Sequence, residues 1–84
     1  MRKPTIHLNG SSRDHLREDL DVAHTKLAEA VLAVSKTSPN ARDYYPQGEG
    51  AIYEAQAQHR ERLAALVHVQ KEVYELLEHV MDAP

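Results

Sequence analysis

Arg42-Asp43-Tyr44-Tyr45 places a planar cation, a carboxylate and two phenol rings within four consecutive residues, the densest recognition chemistry in the chain. A guanidinium matches phosphate or carboxylate oxygens through parallel N–H donors. Tyrosine rings stack on nucleobases while keeping a hydroxyl for a polar edge. With Gln47 nearby, such a set can hold a small nucleotide. In the simpler alternative, one ring plugs the end of a helical hairpin and Arg42 pairs locally with Asp43. A plug needs only one ring, and the segment carries two of the chain's four tyrosines.

Other polar groups point less clearly to chemistry. Pro46-Gln47-Gly48-Glu49-Gly50 sets two glycines ahead of a helix start, where free backbone N–H groups attract anions. It lacks phosphate-loop or dinucleotide-fingerprint spacing, so turning the chain and capping the helix is the simpler role. Six histidines invite a metal reading. His15 and Asp19, His68 and Glu72, and Glu75 and His79 are each four apart, and Asp21 and His24 three apart. Neither the paired Glu-x-x-His of helical di-iron sites nor His-Glu-x-x-His is present, and no metal or other cofactor is expected. The serines at 11, 12, 35 and 38 stand at helix ends without the His and carboxylate that a nucleophile requires, so the chain is not expected to be an enzyme.

Two long helices must position these groups. Leu16, Leu20, Ala23, Leu27, Ala30 and Val34 recur at alternating steps of four and three, a coiled-coil-like seam that predicts a helix over 11–37. Val22 and Val31 are expected to widen its buried face. Ser11 or Ser12 opens it, Ser11 with Asp14 fitting the capping-box spacing, and Ser38-Pro39-Asn40 stops it, because proline disfavours helical geometry in the residue before it. A second helix is predicted over 50–81, with a seam of Ile52, Ala55, His59, Leu63, Leu66, Gln70, Val73, Leu77 and Val80. His59 and Gln70 interrupt this apolar row. A polar seam residue often fixes register through a partnered hydrogen bond, the favoured role here; otherwise His59 lines a cavity with Tyr53. A further row of Val67, Val69 and Leu76 makes the face too wide for one partner helix.

The 12-residue segment 38–49 is longer than a helix–helix connection needs and too aromatic for a disordered linker, so it reads as an ordered functional loop. Residues 1–10 form an arm. Its Thr5-Ile6-His7-Leu8 is weakly strand-like and Asn9-Gly10 signals a turn. The arm lies across the helices or pairs with the arm of a neighbour.

Size bounds the rest. Eighty-four residues make a single helical domain, 1–84, without Cys, Phe or Trp, so disulfides and thiolate metal sites are excluded and the core is thin. Small scaffolds of this kind gain stability by associating. The predicted fold is therefore all-α: an antiparallel two-helix hairpin with a short N-terminal arm, assembled into a homo-oligomeric bundle. A net charge of -3 gives no general attraction to nucleic-acid backbone, and genomic DNA is not an expected partner. Met1-Arg2-Lys3-Pro4 is followed by no apolar run, so neither signal peptide nor membrane span is expected.

His7-Leu8-Asn9-Gly10-Ser11-Ser12-Arg13 together with Asn40-Ala41-Arg42-Asp43-Tyr44-Tyr45-Pro46-Gln47-Gly48 resembles a pattern in small, uncharacterised helical proteins of bacteriophages and prophages. The resemblance covers most of the chain and implies a location in the cytoplasm of a bacterial host. In architecture, a short helical chain with an arm that must oligomerise is similar to phage anti-CBASS sponge proteins, which sequester the cyclic nucleotides used as bacterial immune signals; no site residue is carried over from them. The resulting expectation is a homo-oligomeric sponge that binds a small anionic cyclic nucleotide without cleaving it, counteracting anti-phage defence. Tyr44 and Tyr45 would stack on bases, Arg42 with Arg13 or a neighbour's cation would bind phosphate, and Asn9, Asp43 and Gln47 would read polar edges. The alternative is a homo-oligomeric protein–protein interaction module that uses loop 42–48 as an epitope.

Overall fold

The computed structural model describes residues 1–83. The fold is all-helical. Helix α1 spans Arg13–Ser35 and helix α2 spans Ala51–Asp82, packed antiparallel along their length in a hairpin 61 Å long and 20 by 17 Å across. No described helix is long and apolar enough to cross a membrane.

Helix α1 begins later and ends earlier than its periodicity predicts, for reasons found at its caps. Ser12, rather than Ser11, is the N-cap: its Oγ accepts from the His15 N–H at 3.1 Å. With Arg13 as the first helical residue, the third donor of the helix is His15, and the expected Ser11–Asp14 box gives way to this single bond. At the other end, the Lys36 N–H donates to the Ala33 carbonyl at 3.2 Å and the Thr37 N–H to the Val34 carbonyl at 2.9 Å. The hydroxyls of Ser35 and Thr37 donate to the carbonyls of Leu32 and Val34 at 2.6 and 2.7 Å. These bonds occupy acceptors that the last turn leaves without helical partners.

The seams lie where the spacing predicts. All six α1 seam residues are half-buried, and every α2 seam residue is half-buried or buried, with His59, Leu77 and Val80 the most enclosed. Of the two flanking valines in α1, Val31 is half-buried, but Val22 stands exposed because its position turns away from α2. Val67 and Val69 also remain exposed beside the seam, while Leu76 is half-covered.

The arm forms no strand. Residues 8–10 make a turn closed by the Gly10 N–H on the His7 carbonyl at 3.1 Å, and the preceding residues cross the open end of the hairpin. His79 Nε2 lies 2.7 Å from the Pro4 carbonyl, which can only accept, so Nε2 carries a proton and donates it to that bond. The Arg13 guanidinium donates to the Ala83 carbonyl, tying the start of α1 to the end of α2. His79 therefore binds the arm rather than Glu75.

Because the core is one seam wide, deleting its methyl groups is felt throughout the hairpin. Leu77→Ala is expected to lower unfolding free energy by about 2–5 kcal/mol, the usual cost of truncating a buried leucine. Urea denaturation followed by circular dichroism at fixed protein concentration measures it.

Candidate functional site

The loop between the helices is ordered by short-range bonds. Asn40 Oδ1 accepts from the Arg42 N–H at 3.1 Å, starting a single-turn 3₁₀ helix at Ala41–Asp43. A second turn at Tyr45–Gln47 follows, with Pro46 inside it, where a missing N–H costs no helical bond. The chain then reverses at Gly48, whose φ of 110° and ψ of 166° lie in a region that only glycine readily occupies. Gly50 precedes α2 without a side-chain cap. The glycines turn the chain.

This geometry splits the two tyrosines. Tyr44 is half-buried and, with Gln47, lines an open pocket of about 260 Å³ against Ala51, Glu54, Ala55 and Gln58 at the start of α2. Tyr45 is 76% exposed. Arg42 and Asp43 are exposed, and among the described residues they form no ion pair with each other or with another side chain.

The pocket is not basic. Glu54 supplies a carboxylate in the first turn of α2, where it complements the positive end of the helix dipole and uses the field that an incoming anion would have felt. Glu54 and Gln58 are the pocket residues that sequence reasoning missed. Their signal was available, since Ala51 and Ala55, and Glu54 and Gln58, repeat at four residues and so share a face beside the loop.

Asn9 and Arg13 lie far from this pocket. They sit at the open end of the hairpin, separated from the loop by the whole of α1, about 35 Å at 1.5 Å per residue. Arg13 is committed to the Ala83 carbonyl, and its buried Nε has no partner. Within one chain, Tyr44 and Gln47 come together, Arg42, Asp43 and Tyr45 stand on the outside of the same loop, and Asn9 and Arg13 cannot reach them.

The histidines divide similarly. His15 meets Asp19 at 3.2 Å and His68 meets Glu72 at 3.3 Å, both on exposed helix faces. His24 lies against the Tyr74 ring, with centroids 5.3 Å apart, and not beside Asp21 in an ion pair. His59 is only 7% exposed, and its Nδ1 has no hydrogen-bond partner, so the expected partnered seam bond is not made by this nitrogen within the chain. Tyr53, the other group considered for a His59 cavity, faces outward. Among the described residues, no three His, Asp or Glu side chains gather as a metal site.

Compared with family models, curated proteins and solved structures, the chain has no match.

The loop's dependence on Gly48 is directly testable. Gly48→Ala is expected to cost about 1–3 kcal/mol, because a β-carbon is strained at that backbone geometry. Gly50→Ala, at ordinary dihedrals with open space around it, should stay within about 1 kcal/mol of the native chain. Thermal denaturation of the two variants side by side checks this difference.

Proposed function

We propose that the chain is a homo-oligomeric helical interaction module, in which the helices assemble copies of the chain and the hairpin tip presents Tyr45 and Arg42 to a protein partner. The observation that carries this reading is the surface left uncovered by one copy. A compact monomer of 9.5 kDa has about 5,000 Å² of accessible surface by the size scaling of monomeric proteins. This chain exposes 6455 Å². The surplus, about 1,400 Å², exceeds the roughly 800 Å² that each partner contributes to an ordinary specific interface. Exposed Val22, Leu32, Val67, Val69, Tyr74 and Met81 supply apolar groups to bury.

The tip supports the epitope role by composition and display. Tyrosine and arginine are enriched at protein interfaces, and both point outward here on a loop whose turns hold them in place. Pre-ordering lowers the entropy lost on docking.

A second reading is favoured by the Tyr44–Gln47 pocket, with the unpaired Arg42 on the same loop. In it, the assembled chain sequesters a small anionic cyclic nucleotide between subunits, as phage sponge proteins do. That reading needs a neighbouring copy to bring a cation, Arg13 of its open end included, against the tip, because the chain's own pocket carries Glu54. Two tyrosines stacking on bases would contribute about 1–3 kcal/mol each by analogy with single-strand binders.

Sedimentation over a range of concentrations tests the common premise. Association to a dimer or larger species at micromolar concentration is expected; a compact monomer throughout would remove the basis of both readings. Calorimetry with cyclic di- and trinucleotides and cyclic ADP-ribose isomers separates them. The interaction module predicts no binding heat, whereas saturable micromolar binding lost in Tyr44→Ala would replace it with the sequestering reading.

A further inference from the structure

Tyr53, Arg60, Val67, Tyr74 and Met81 stand at successive intervals of seven on α2. Seven residues are nearly two full helical turns, so these five form one row about 42 Å long beside the seam. The row is exposed from end to end: Tyr53 70%, Val67 36%, Tyr74 48% and Met81 57%, with Arg60 also exposed. The corresponding row on the other side of the seam, Arg62, Val69 and Leu76, is exposed at Arg62 and Val69 and half-covered at Leu76, and it carries no aromatic ring. The Tyr53–Met81 row is the one that carries the aromatic, methionine and arginine side chains enriched at the centres of interfaces.

We infer that this row is the contact between two copies of the chain, with their α2 helices antiparallel about a two-fold axis through Val67. The inference rests on the self-association proposed above and assigns its surface and direction. The order of residues is what selects the direction. In an antiparallel pair centred on Val67, Val67 meets Val67 of the partner subunit, Arg60 meets Tyr74 of the partner subunit, and Tyr53 meets Met81 of the partner subunit. Each pair is chemically matched: a cation over an aromatic face, and a thioether against a ring. A parallel pair in the same register sets Arg60 against Arg60 of the partner subunit, two like charges in a contact that excludes water.

The area agrees with this occupant. The surplus of about 1,400 Å² is spread over the whole rod, and it exceeds the roughly 800 Å² per partner that a second copy seated on this row would bury in a stable interface. Tyr74 is also held before contact, since its ring rests on His24 at 5.3 Å. An anchor fixed in the free chain loses less freedom on docking.

The chain contains no cysteine, so each introduced thiol reports one position without background. A disulfide requires Cα atoms about 4.4–6.8 Å apart, which only residues facing each other satisfy. Val67→Cys in the full-length chain should form a disulfide-linked dimer on mild oxidation, read by non-reducing gel electrophoresis. Tyr53→Cys and Met81→Cys should each fail to link alone but link when combined in one chain. Self-linking of Tyr53→Cys would show a parallel pair and overturn the proposal. Linking of Val69→Cys without Val67→Cys would place the contact on the opposite flank, with the same consequence. If sedimentation shows association but none of these variants links, the surface assignment fails while self-association stands; a monomer at every concentration defeats both.

Discussion

Two helices joined in a hairpin share a single seam, and among the described residues no third long helix or strand covers what lies beside it. Its stability therefore depends on one line of interlocking side chains, from Val34 against the start of α2 to Leu16 against its end. Among the described residues, only Leu77 and Val80 of the apolar side chains are buried within one copy, along with the imidazole of His59. A core this narrow gains little from the hydrophobic effect, which scales with apolar area removed from water. It also leaves the flanks of a 61 Å rod exposed to solvent. The ends are secured separately, by Ser12 and the hydroxyls of Ser35 and Thr37 along α1, and by Arg13 and His79 where the arm crosses the open end.

The same narrowness shapes the candidate site. A hairpin tip has neighbours on one side only, so the loop can bury one aromatic ring against α2 and must leave the next outside. Tyr44 takes the inner position and Tyr45 the outer. The pocket beneath Tyr44 inherits the chemistry of the first turns of α2, which is acidic at Glu54 and amidic at Gln58. An isolated copy therefore offers a polar dish and an exposed aromatic–cation tip, rather than an enclosed anion cleft. A cationic wall for the Tyr44 pocket would have to come from outside the residues that line it.

His59 expresses the tension within the seam. Burying an imidazole nitrogen without a hydrogen-bond partner costs about 1–3 kcal/mol, more than a chain with so small a core can easily tolerate. Such residues in paired helices often restrict register and partner number at a cost in stability. Gln70, half-buried a few turns further along the same seam beside His24, Lys71 and Tyr74, gives α2 a second polar mark.

Helices and their seams were legible in the sequence because periodicity is a local property: spacings of three and four place Leu16 through Val34, and Ile52 through Val80, on single faces whatever surrounds them. The helix stop before Pro39 was legible for the same reason. Cap identity was less so, since Ser11 and Ser12 are both competent and only the first helical residue decides which hydroxyl reaches a free N–H. The fate of the arm depended on a contact across 75 residues, His79 to Pro4, which no local pattern encodes. The candidate ligand residues divided along the same line. That Tyr44 and Gln47 line one pocket follows from a loop of fixed turns, whereas the separation of Arg13 and Asn9 from them follows from the length of α1. Residue types declared what chemistry was available; the hairpin's geometry decided which groups could share a ligand, because a rigid helix holds its two ends apart.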